Sequence, residues 1–179
     1  MMSERIYLNN DWKFAEQFEA SMTEAAYDDS VMQNVRLPHT CKETPLHYFD
    51  EHCYQMVSGY RRVIEAEEAW KGKKILLTID GAAHDSEVFL NGEKVGEHHC
   101  GYTAFTMDIS GVLRYGEKNI LVVKVDSRED LNIPPFGYVI DYMTYGGIYR
   151  DVYLDIKNKD YIEDIFIRTN IGQMDDQNA

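Results

Sequence analysis

Short segments in which apolar and polar residues alternate recur along the chain from about residue 60 onward. In KKILLTIDG, Ile75, Leu77 and Ile79 fall on one face, and SEVFLNGEKVG and NILVVKVDS repeat the pattern. A period of two places alternate side chains on opposite faces of a β-strand, whereas an amphipathic helix needs a period of about 3.6. Segments of this length, each ended by turn residues, predict an all-β fold.

The most specific turn signal is Asn91-Gly92, which separates EVFL from EKVG. A type I′ turn requires positive φ at both central residues, and Asn and Gly adopt that conformation at low cost. The sequence therefore predicts a hairpin here. Helical segments do not alternate with the strands, which disfavours a parallel α/β sheet and favours a β-sandwich. Residues 16–29 contain helix formers without a clean helical period, so both a helix and an irregular segment remain open.

The size and composition of the chain indicate one folded domain, with room for a short piece of a second. It has 179 residues, of which 44% are hydrophobic and 12% aromatic, including 13 tyrosines. This composition is typical of a globular protein, and tyrosine suits both strands and binding faces with polar rims. We therefore expect a sizeable hydrophobic core.

Charge and hydropathy exclude some classes of partner. Lysine plus arginine number 18 against 31 for aspartate plus glutamate, a formal net charge of -13. Such a surface repels phosphate backbones and anionic lipids, and no apolar run approaches the ~18 residues of a membrane span. Nucleic acid and membrane are therefore not expected as partners. The N-terminus lacks a run of signal-peptide length and the three cysteines are irregularly spaced, so we expect a reducing, cytoplasmic location.

A long loop and a pair of glycines precede the last predicted strand of the domain. Residues 128–145 contain two prolines and exceed the usual length of a connection, which is typical of a loop with a function. The tandem glycines Gly146 and Gly147 permit positive φ or a close backbone approach, and so fix where that loop lies. Alternation in the following strand places Arg150 on the apolar face, so we expect it to be a structural anchor bonded to a carboxylate or to carbonyls.

Five motifs follow one another along the chain: RLPHT at 36–40, GYRRVIEA at 59–66, VFLNGEKVGEHHCGYTAFTMDIS at 88–110, GEKNILVVKVD at 116–126 and DYMTYGGIYRDVYL at 141–154. In order and spacing they resemble the N-terminal sugar-binding domain of glycoside hydrolase family two, the β-galactosidase and β-glucuronidase group. Each motif is weak by itself, whereas five in sequence are specific. The resemblance covers roughly residues 6 to 154.

The resemblance implies a fold and a domain order. Residues 1–154 would form an all-β jelly-roll sandwich of the galactose-binding type. In intact members of the family this domain is followed by an immunoglobulin-like domain and then by a TIM barrel with the catalytic carboxylates. Residues 155–179 would be a linker and the first strand, YIEDIFIRT, of a truncated immunoglobulin-like domain. The chain would then be a fragment of a longer enzyme.

Two loop residues are candidate substrate contacts. An ionised carboxylate such as Asp141 accepts hydrogen bonds from sugar hydroxyls, and neighbouring rings cover the C–H side of a sugar. The resemblance implies that Asp141, the aspartate of D-x-x-x-x-GGI-x-R, reaches the barrel and touches the sugar; a loop-capping or solvated aspartate is the alternative. Gln55 stands where some members have a sugar-contacting amide. We interpret His39 and His98 as structural hydrogen-bonding residues.

No metal or cofactor is predicted. His98, His99 and Cys100 are consecutive, and neighbouring residues on a strand project to opposite faces, so they do not ligate one ion. The sequence has no CxxC or HxxxH spacing, no phosphate-binding glycine loop and no Ser-His-Asp arrangement. Retaining glycoside hydrolysis needs two carboxyls ~5 to 5.5 Å apart, and nothing singles out such a pair here.

The predicted function is that of an N-terminal accessory domain of a retaining β-glycosidase, which braces the catalytic barrel and contributes Asp141 to the sugar subsite. Its partners would be a β-linked galactoside or glucuronide and the barrel and immunoglobulin-like domains of the same parent chain, itself a candidate homo-oligomer. We expect the fragment alone to be inactive. The alternatives are a free-standing, lectin-like carbohydrate-binding module and a purely structural interface domain.

Overall fold

The computed structural model describes residues 4–47, 50–137 and 142–169. Helical structure in these ranges is confined to 3-10 turns at Ala20–Thr23, Asp29–Val31, Glu51–Tyr54 and Glu68–Trp70. No helix there is long and apolar enough to cross a bilayer. The strands, in chain order, are β1 (Glu4–Tyr7), β2 (Trp12–Ala15), β3 (Gln33–Val35), β4 (Val57–Glu65), β5 (Lys74–Ile79), β6 (Ala82–Ala83), β7 (Asp85–Leu90), β8 (Glu93–His98), β9 (Phe105–Asp108), β10 (Lys118–Asp126), β11 (Gly147–Ile148) and β12 (Val152–Lys157).

Two antiparallel sheets form the sandwich. One has four strands in the order β1-β12-β5-β9, and the other has six in the order β3-β2-β4-β10-β7-β8. β6 and β11 pair as a small third sheet. Neighbours in each sheet are often distant in sequence, as where β4 pairs with β10 along its whole length. The predicted all-β jelly-roll sandwich is confirmed.

The hydrophobic core lies between the two large sheets, where the alternating residues meet. Ile75, Leu77 and Ile79 are fully buried, as the period-two pattern of β5 predicts. They face Tyr60 and Leu121 among other buried residues of the six-stranded sheet. Complete burial of an aliphatic side chain stabilises the folded state by roughly 1.5–3 kcal/mol. This pattern therefore fixes which face of each strand points inward.

The hairpin between β7 and β8 turns at Asn91-Gly92 with φ values of 54° and 88°. Positive φ at both positions is the requirement from which the turn was predicted, and the prediction is confirmed. The Asn91 side chain adds tertiary contacts: its Oδ1 accepts from the Ile120 backbone at 3.0 Å and its Nδ2 donates to Asn119 Oδ1 at 2.8 Å. The turn is thus fastened to β10.

Residues 16–29 form no α-helix; they contain one 3-10 turn, and a second begins at Asp29. Arg61 of β4, only 3% exposed, explains this conformation. Its guanidinium donates to the Met22 and Glu24 carbonyls and pairs with Asp29. Those two carbonyls therefore accept hydrogen bonds from a side chain, in place of the backbone hydrogen bonds of an α-helix. Met22 also packs with Val122 on the outer face of the six-stranded sheet, which holds the segment there.

The tandem glycines allow the chain to approach the core very closely, as predicted. Gly147 has φ of 113°, and a Cβ there would come 2.7 Å from the His39 carbonyl oxygen and 2.7 Å from the Tyr60 hydroxyl. A Cβ at Gly146 would come 2.4 Å from Cβ of Ser127. The Cys41 backbone donates to the Gly146 carbonyl at 2.9 Å. No larger residue fits in this place without movement of its neighbours.

The segment after the glycines differs from its prediction. The expected continuous strand is divided into β11 and β12, and Arg150 lies at the bend between them, exposed rather than buried. Its Nη1 donates to the Tyr102 carbonyl at 3.2 Å and to the Asp80 carbonyl at 3.5 Å. Arg150 is therefore bonded to carbonyls as expected, but from the surface. The bend breaks the alternation that placed it inside.

The end of the chain follows β12. This strand ends at Lys157, so the predicted domain boundary after residue 154 falls within it. Residues 158–169 form no strand. Their large apolar side chains are exposed, at 67–87%: Ile162, Ile165, Phe166 and Ile167. The strand predicted to open a second domain stays a prediction.

Candidate functional site

A cavity of about 430 Å³ opens at the end of the sandwich where β10 ends and β7 begins. Asp126 is the last residue of β10 and Asp85 the first of β7, and the two are paired in register. Antiparallel pairing therefore brings both carboxylates to one sheet edge. The volume of the cavity lies within the roughly 300–1,000 Å³ typical of small-molecule sites. The other lining residues are Gln55, Arg128, Glu129, Asp130 and Ile133.

Gln55, the predicted amide contact, lines this cavity. It follows the 3-10 turn Glu51–Tyr54, and its backbone donates to the His52 carbonyl at 3.0 Å. The buried Ser127 fixes the residues on either side: its backbone donates to the Met56 carbonyl at 2.9 Å, and its hydroxyl bonds to the Tyr54 carbonyl. The backbone of Gln55 is thus held at two points, which positions its amide at the cavity wall.

Asp126 and Arg128 form a closed ion pair at the mouth of the cavity. The guanidinium contacts both carboxylate oxygens, with Nη2 to Oδ2 at 2.5 Å and Nε to Oδ1 at 2.9 Å. Burial acts to raise the pKa of Asp126, but the hydrogen bonds from Arg128 outweigh it and the net pKa lies below its ordinary value. Both groups are therefore charged at neutral pH and occupied by each other.

Glu129 is held differently from the other acids of the cavity. Its Oε1 accepts from the Thr144 hydroxyl at 3.4 Å, whereas its Oε2 is buried and has no hydrogen-bond partner among the described residues. Gly137 packs against it so closely that a Cβ there would lie 3.1 Å from Glu129 Cβ. A buried carboxylate oxygen without a donor is costly, so Glu129 is the least well satisfied acid of this cavity.

His84 is a second buried group without a partner. It is 4% exposed, and neither ring nitrogen has a hydrogen-bond partner in the described part of the chain. Burial lowers its pKa, although the neighbouring Glu129 and Asp126 favour the charged form. Its backbone donates to the Asp126 carbonyl at 2.9 Å, which ties it to the strand end behind the cavity. A neutral imidazole there can donate one hydrogen bond.

Asp141, the predicted carboxylate contact, lies outside the described residues, so its assignment stays a prediction. The described residues on either side of it in the sequence are Gly137 and Tyr142. Gly137 packs against Glu129, and the Thr144 hydroxyl donates to Glu129. The Tyr142 hydroxyl bonds to the Tyr102 hydroxyl at 2.8 Å. The chain on both sides of residues 138–141 is therefore fastened at this end of the sandwich.

Exposed aromatic rings stand in the segments around the cavity. Phe136, Tyr142 and Tyr145 are 50%, 58% and 51% exposed. Tyr145 meets Tyr54 edge to face, with ring centroids 5.1 Å apart. Rings held at the surface cover the apolar face of a sugar, while carboxylates and amides bond its hydroxyls. This end of the sandwich therefore carries side chains of both types.

The model of the sugar binding domain of glycosyl hydrolases family 2 matches residues 7–158. The chain belongs to this family. A β-galactosidase of Thermoanaerobacter pseudethanolicus is 42% identical over 162 residues, which are 90% of this chain and 22% of that protein. A β-glucuronidase of Bacteroides fragilis is 34% identical over 154 residues, 86% of this chain and 21% of that protein.

A solved structure has the same fold. The crystal structure of a Bacteroides uniformis β-glucuronidase superposes with a TM-score of 0.75 at 32% identity, covering 87% of this chain and 18% of that one. The resemblance drawn from the five motifs is confirmed. The chain spans about a fifth of the length of the relatives it matches.

The two histidines of the family 2 motifs are structural, as interpreted. His39 Nδ1 bonds to the Tyr60 hydroxyl at 2.9 Å, and its backbone donates to the Ile148 carbonyl at 2.8 Å. His98 Nε2 bonds to Thr103 Oγ1 at 2.8 Å, and its ring stacks on Phe105. Neither lines the cavity. Among the described residues, no group of three or more His, Cys, Asp or Glu side chains is arranged to hold a metal ion.

Six of the seven residues that line this cavity were not identified as site residues from the sequence: Asp85, Asp126, Arg128, Glu129, Asp130 and Ile133. The first two carry a usable signal, because each lies at the end of a predicted strand and those strands are neighbours in the sheet. Glu129 carries none, since its burial depends on packing against Gly137 and Thr144. A larger cavity of about 550 Å³ lies at the opposite end of the sandwich and contains no predicted site residue.

Proposed function

We propose that this chain is the N-terminal accessory domain of a retaining β-glycosidase, and that it contributes a wall of the sugar subsite while a barrel domain supplies the catalytic carboxylates. The observation that carries the proposal is the match of residues 7–158 to the family 2 sugar binding domain. Relatives of the chain are named β-galactosidase and β-glucuronidase, and the chain spans about a fifth of their length. The remainder of such a protein has room for the immunoglobulin-like and barrel domains.

The cavity at the end of the sandwich supports a role in binding. An amide (Gln55) and several carboxylates line it, and exposed aromatic rings lie in the neighbouring segments. Groups of these types bond and cover a pyranose. We assign Gln55 and Asp141 as substrate contacts. In this role the two side chains would orient the substrate, and such positioning contributes to the rate without breaking the bond itself. The isolated chain is accordingly expected to hydrolyse nothing.

The experiment is kinetic and uses the full-length protein of which this chain is the N-terminal part. Asp141→Ala should reduce kcat/KM on a β-glycoside by about tenfold or more, as loss of a charge-assisted hydrogen bond worth roughly 1.5–3 kcal/mol implies. Gln55→Ala should reduce it less, because its amide is neutral. Gln33→Ala, on the exposed edge strand β3, is the matched control. Unchanged kinetics in both the Asp141 and the Gln55 variant would reject the assignment.

A calorimetric titration of the 179-residue chain separates the accessory role from a free-standing module. Galactose and glucuronate should give no heat of binding if the subsite is complete only beside a barrel. Binding at millimolar affinity or tighter would favour the lectin-like module, whose site is on its own loops. If the titration is silent and the Asp141 and Gln55 variants are fully active, a purely structural interface role is favoured.

A further inference from the structure

Ser127 lies where three segments of the sandwich meet. It follows Asp126, the last residue of β10, and is only 2% exposed. Its side chain contacts Cys41, both neighbours of Gln55, and Gly146, the first of the tandem glycines. Because protein interiors are close-packed, a side chain in this place fixes all three segments relative to the end of a central strand.

The hydroxyl of Ser127 bonds to the segment that carries Gln55. Its Oγ donates to the Tyr54 carbonyl and accepts from the Met56 backbone N–H at 3.4 Å. A hydroxyl donates and accepts at the same time, which an alanine methyl group does not. Removal of this hydroxyl would take the O–H donor away from a buried carbonyl and release the main chain on both sides of Gln55.

The same side chain limits where the segment after Asp141 lies. A Cβ on Gly146 would come 2.4 Å from Ser127 Cβ and 2.8 Å from Cys41 Sγ, so glycine is required. The Cys41 backbone donates to the Gly146 carbonyl at 2.9 Å, and its Sγ lies 3.9 Å from the Tyr54 carbonyl oxygen. Since Gly146 follows Asp141 by only five residues, its attachment to Ser127 restricts the loop that carries this aspartate.

The two segments also contact each other directly. Tyr145, which precedes Gly146, meets Tyr54 edge to face at an interplanar angle of 77°. Edge-to-face contact is a preferred arrangement of aromatic pairs. Tyr54 is 2% exposed, so its ring is fixed in the core and holds that of Tyr145 at the surface. The two candidate contacts, Gln55 and Asp141, therefore belong to segments that share one attachment.

We propose that Ser127 is a positioning residue of the sugar subsite, which sets the position of Gln55 relative to Asp141 without touching the substrate. This inference rests on the proposed function above, since it takes these two side chains as substrate contacts. Ser127 is buried and is not among the residues that line the cavity, so it acts only through the contacts that it holds. Two groups that bind one sugar must keep one spacing, and a misplacement of about 1 Å reduces rates by up to about 100-fold.

The test is a double-mutant comparison in the full-length protein of which this chain is the N-terminal part. The substrate is p-nitrophenyl β-galactoside or p-nitrophenyl β-glucuronide, whichever is hydrolysed faster. Ser127→Ala should reduce kcat/KM by about tenfold. In a background that already carries Gln55→Ala and Asp141→Ala, it should change kcat/KM by less than about twofold, because no contact is left for Ser127 to position. A role in folding alone would give the same factor in both backgrounds.

Ser58→Ala is the matched control. Ser58 is also fully buried, and its hydroxyl donates to the Val125 carbonyl at 3.3 Å within the six-stranded sheet. Both serine variants lose one buried hydroxyl group, so their urea denaturation midpoints should fall by similar amounts. Only Ser127→Ala should reduce kcat/KM, whereas Ser58→Ala should change it by less than about twofold.

The outcomes separate this inference from the proposed function. If Gln55→Ala and Asp141→Ala both leave the kinetics unchanged, the proposed function and this inference fail together. If those variants lose activity but folded Ser127→Ala keeps it, or if Ser127→Ala has the same effect in both backgrounds, the inference alone is overturned. If Ser127→Ala does not fold, Ser127→Cys replaces it. A thiol fills the site but is a weak donor, so we expect a loss of at least about threefold, and full activity would overturn the inference.

Discussion

Replacement of Gly147 by alanine tests how far the approach of the chain to the core controls stability. Gly147 has φ of 113°, which costs an L-residue roughly 1–2 kcal/mol. Its new Cβ would also come 2.7 Å from the His39 carbonyl oxygen and the Tyr60 hydroxyl, which are both held in the core. Overpacking of this kind typically costs roughly 1–3 kcal/mol more. We expect Gly147→Ala to lower the free energy of unfolding by about 2–5 kcal/mol.

Two other glycines separate the conformational cost of positive φ from the cost of steric overlap with the core. Gly72 has φ of 80°, and a Cβ there meets nothing within 4 Å, so Gly72→Ala should carry only the conformational cost of about 1–2 kcal/mol. A Cβ at Gly111 also has open space, and its φ is not in the left-handed region. Gly111→Ala should therefore be neutral or slightly stabilising, by restricting the unfolded chain.

The assay is urea denaturation of the 179-residue chain and its three variants, followed by tryptophan fluorescence and circular dichroism. The order of stability should be Gly111→Ala, then Gly72→Ala, then Gly147→Ala. In thermal scans each 1 kcal/mol should lower Tm by roughly 2–4 °C in a domain of this size. A Gly147→Ala variant within about 0.5 kcal/mol of Gly72→Ala would refute the reasoning, because the contacts with His39 and Tyr60 would then cost nothing.

Asn119→Ala should lower the free energy of unfolding by about 3 kcal/mol. The fully buried amide bonds to Arg114 and Asn91, and its loss leaves their groups unpaired. The exposed control Asn34→Ala should change the free energy of unfolding by less than about 0.5 kcal/mol, and equal effects of the two substitutions in urea titrations would contradict this. Burial lowers the pKa of His84 in the folded protein, so the unfolded chain binds more protons below about pH 6.5 and stability should fall as pH decreases from 7. His84→Asn should make that fall shallower, and an identical slope between pH 7 and 5.5 would show that His84 does not contribute.

The sheets could be predicted from the sequence because their signal is local. Alternation in β5, β7 and β10 reports which side chains face inward, and the Asn91-Gly92 turn fixes the register of one hairpin. Arg150 shows where this reasoning fails. The period of two assumes an unbroken strand, whereas the chain bends at residues 149–151, between β11 and β12. The order of apolar and polar residues in the sequence does not reveal that interruption.

The candidate site was only partly predictable for a similar reason. Gln55 and Asp141 were identified through resemblance to a family, and the local sequence around Gln55 does not indicate a cavity. Its position depends on Ser127, which is 72 residues away in the sequence and bonds to both of its neighbours. Glu129 is an ordinary acidic loop residue in the sequence, and its unpartnered oxygen arises only from packing.

The pairing of Asp85 with Asp126 has a consequence for how the cavity would respond to change. These two carboxylates stand on central strands whose ladder hydrogen bonds set their separation, so this half of the cavity is as rigid as the sheet itself. Glu129 stands on the loop that follows, and its position can shift without breaking a strand pair. Sequence changes in that loop would therefore alter the shape and charge of the cavity while the paired strands that carry Asp85 and Asp126 stay in place.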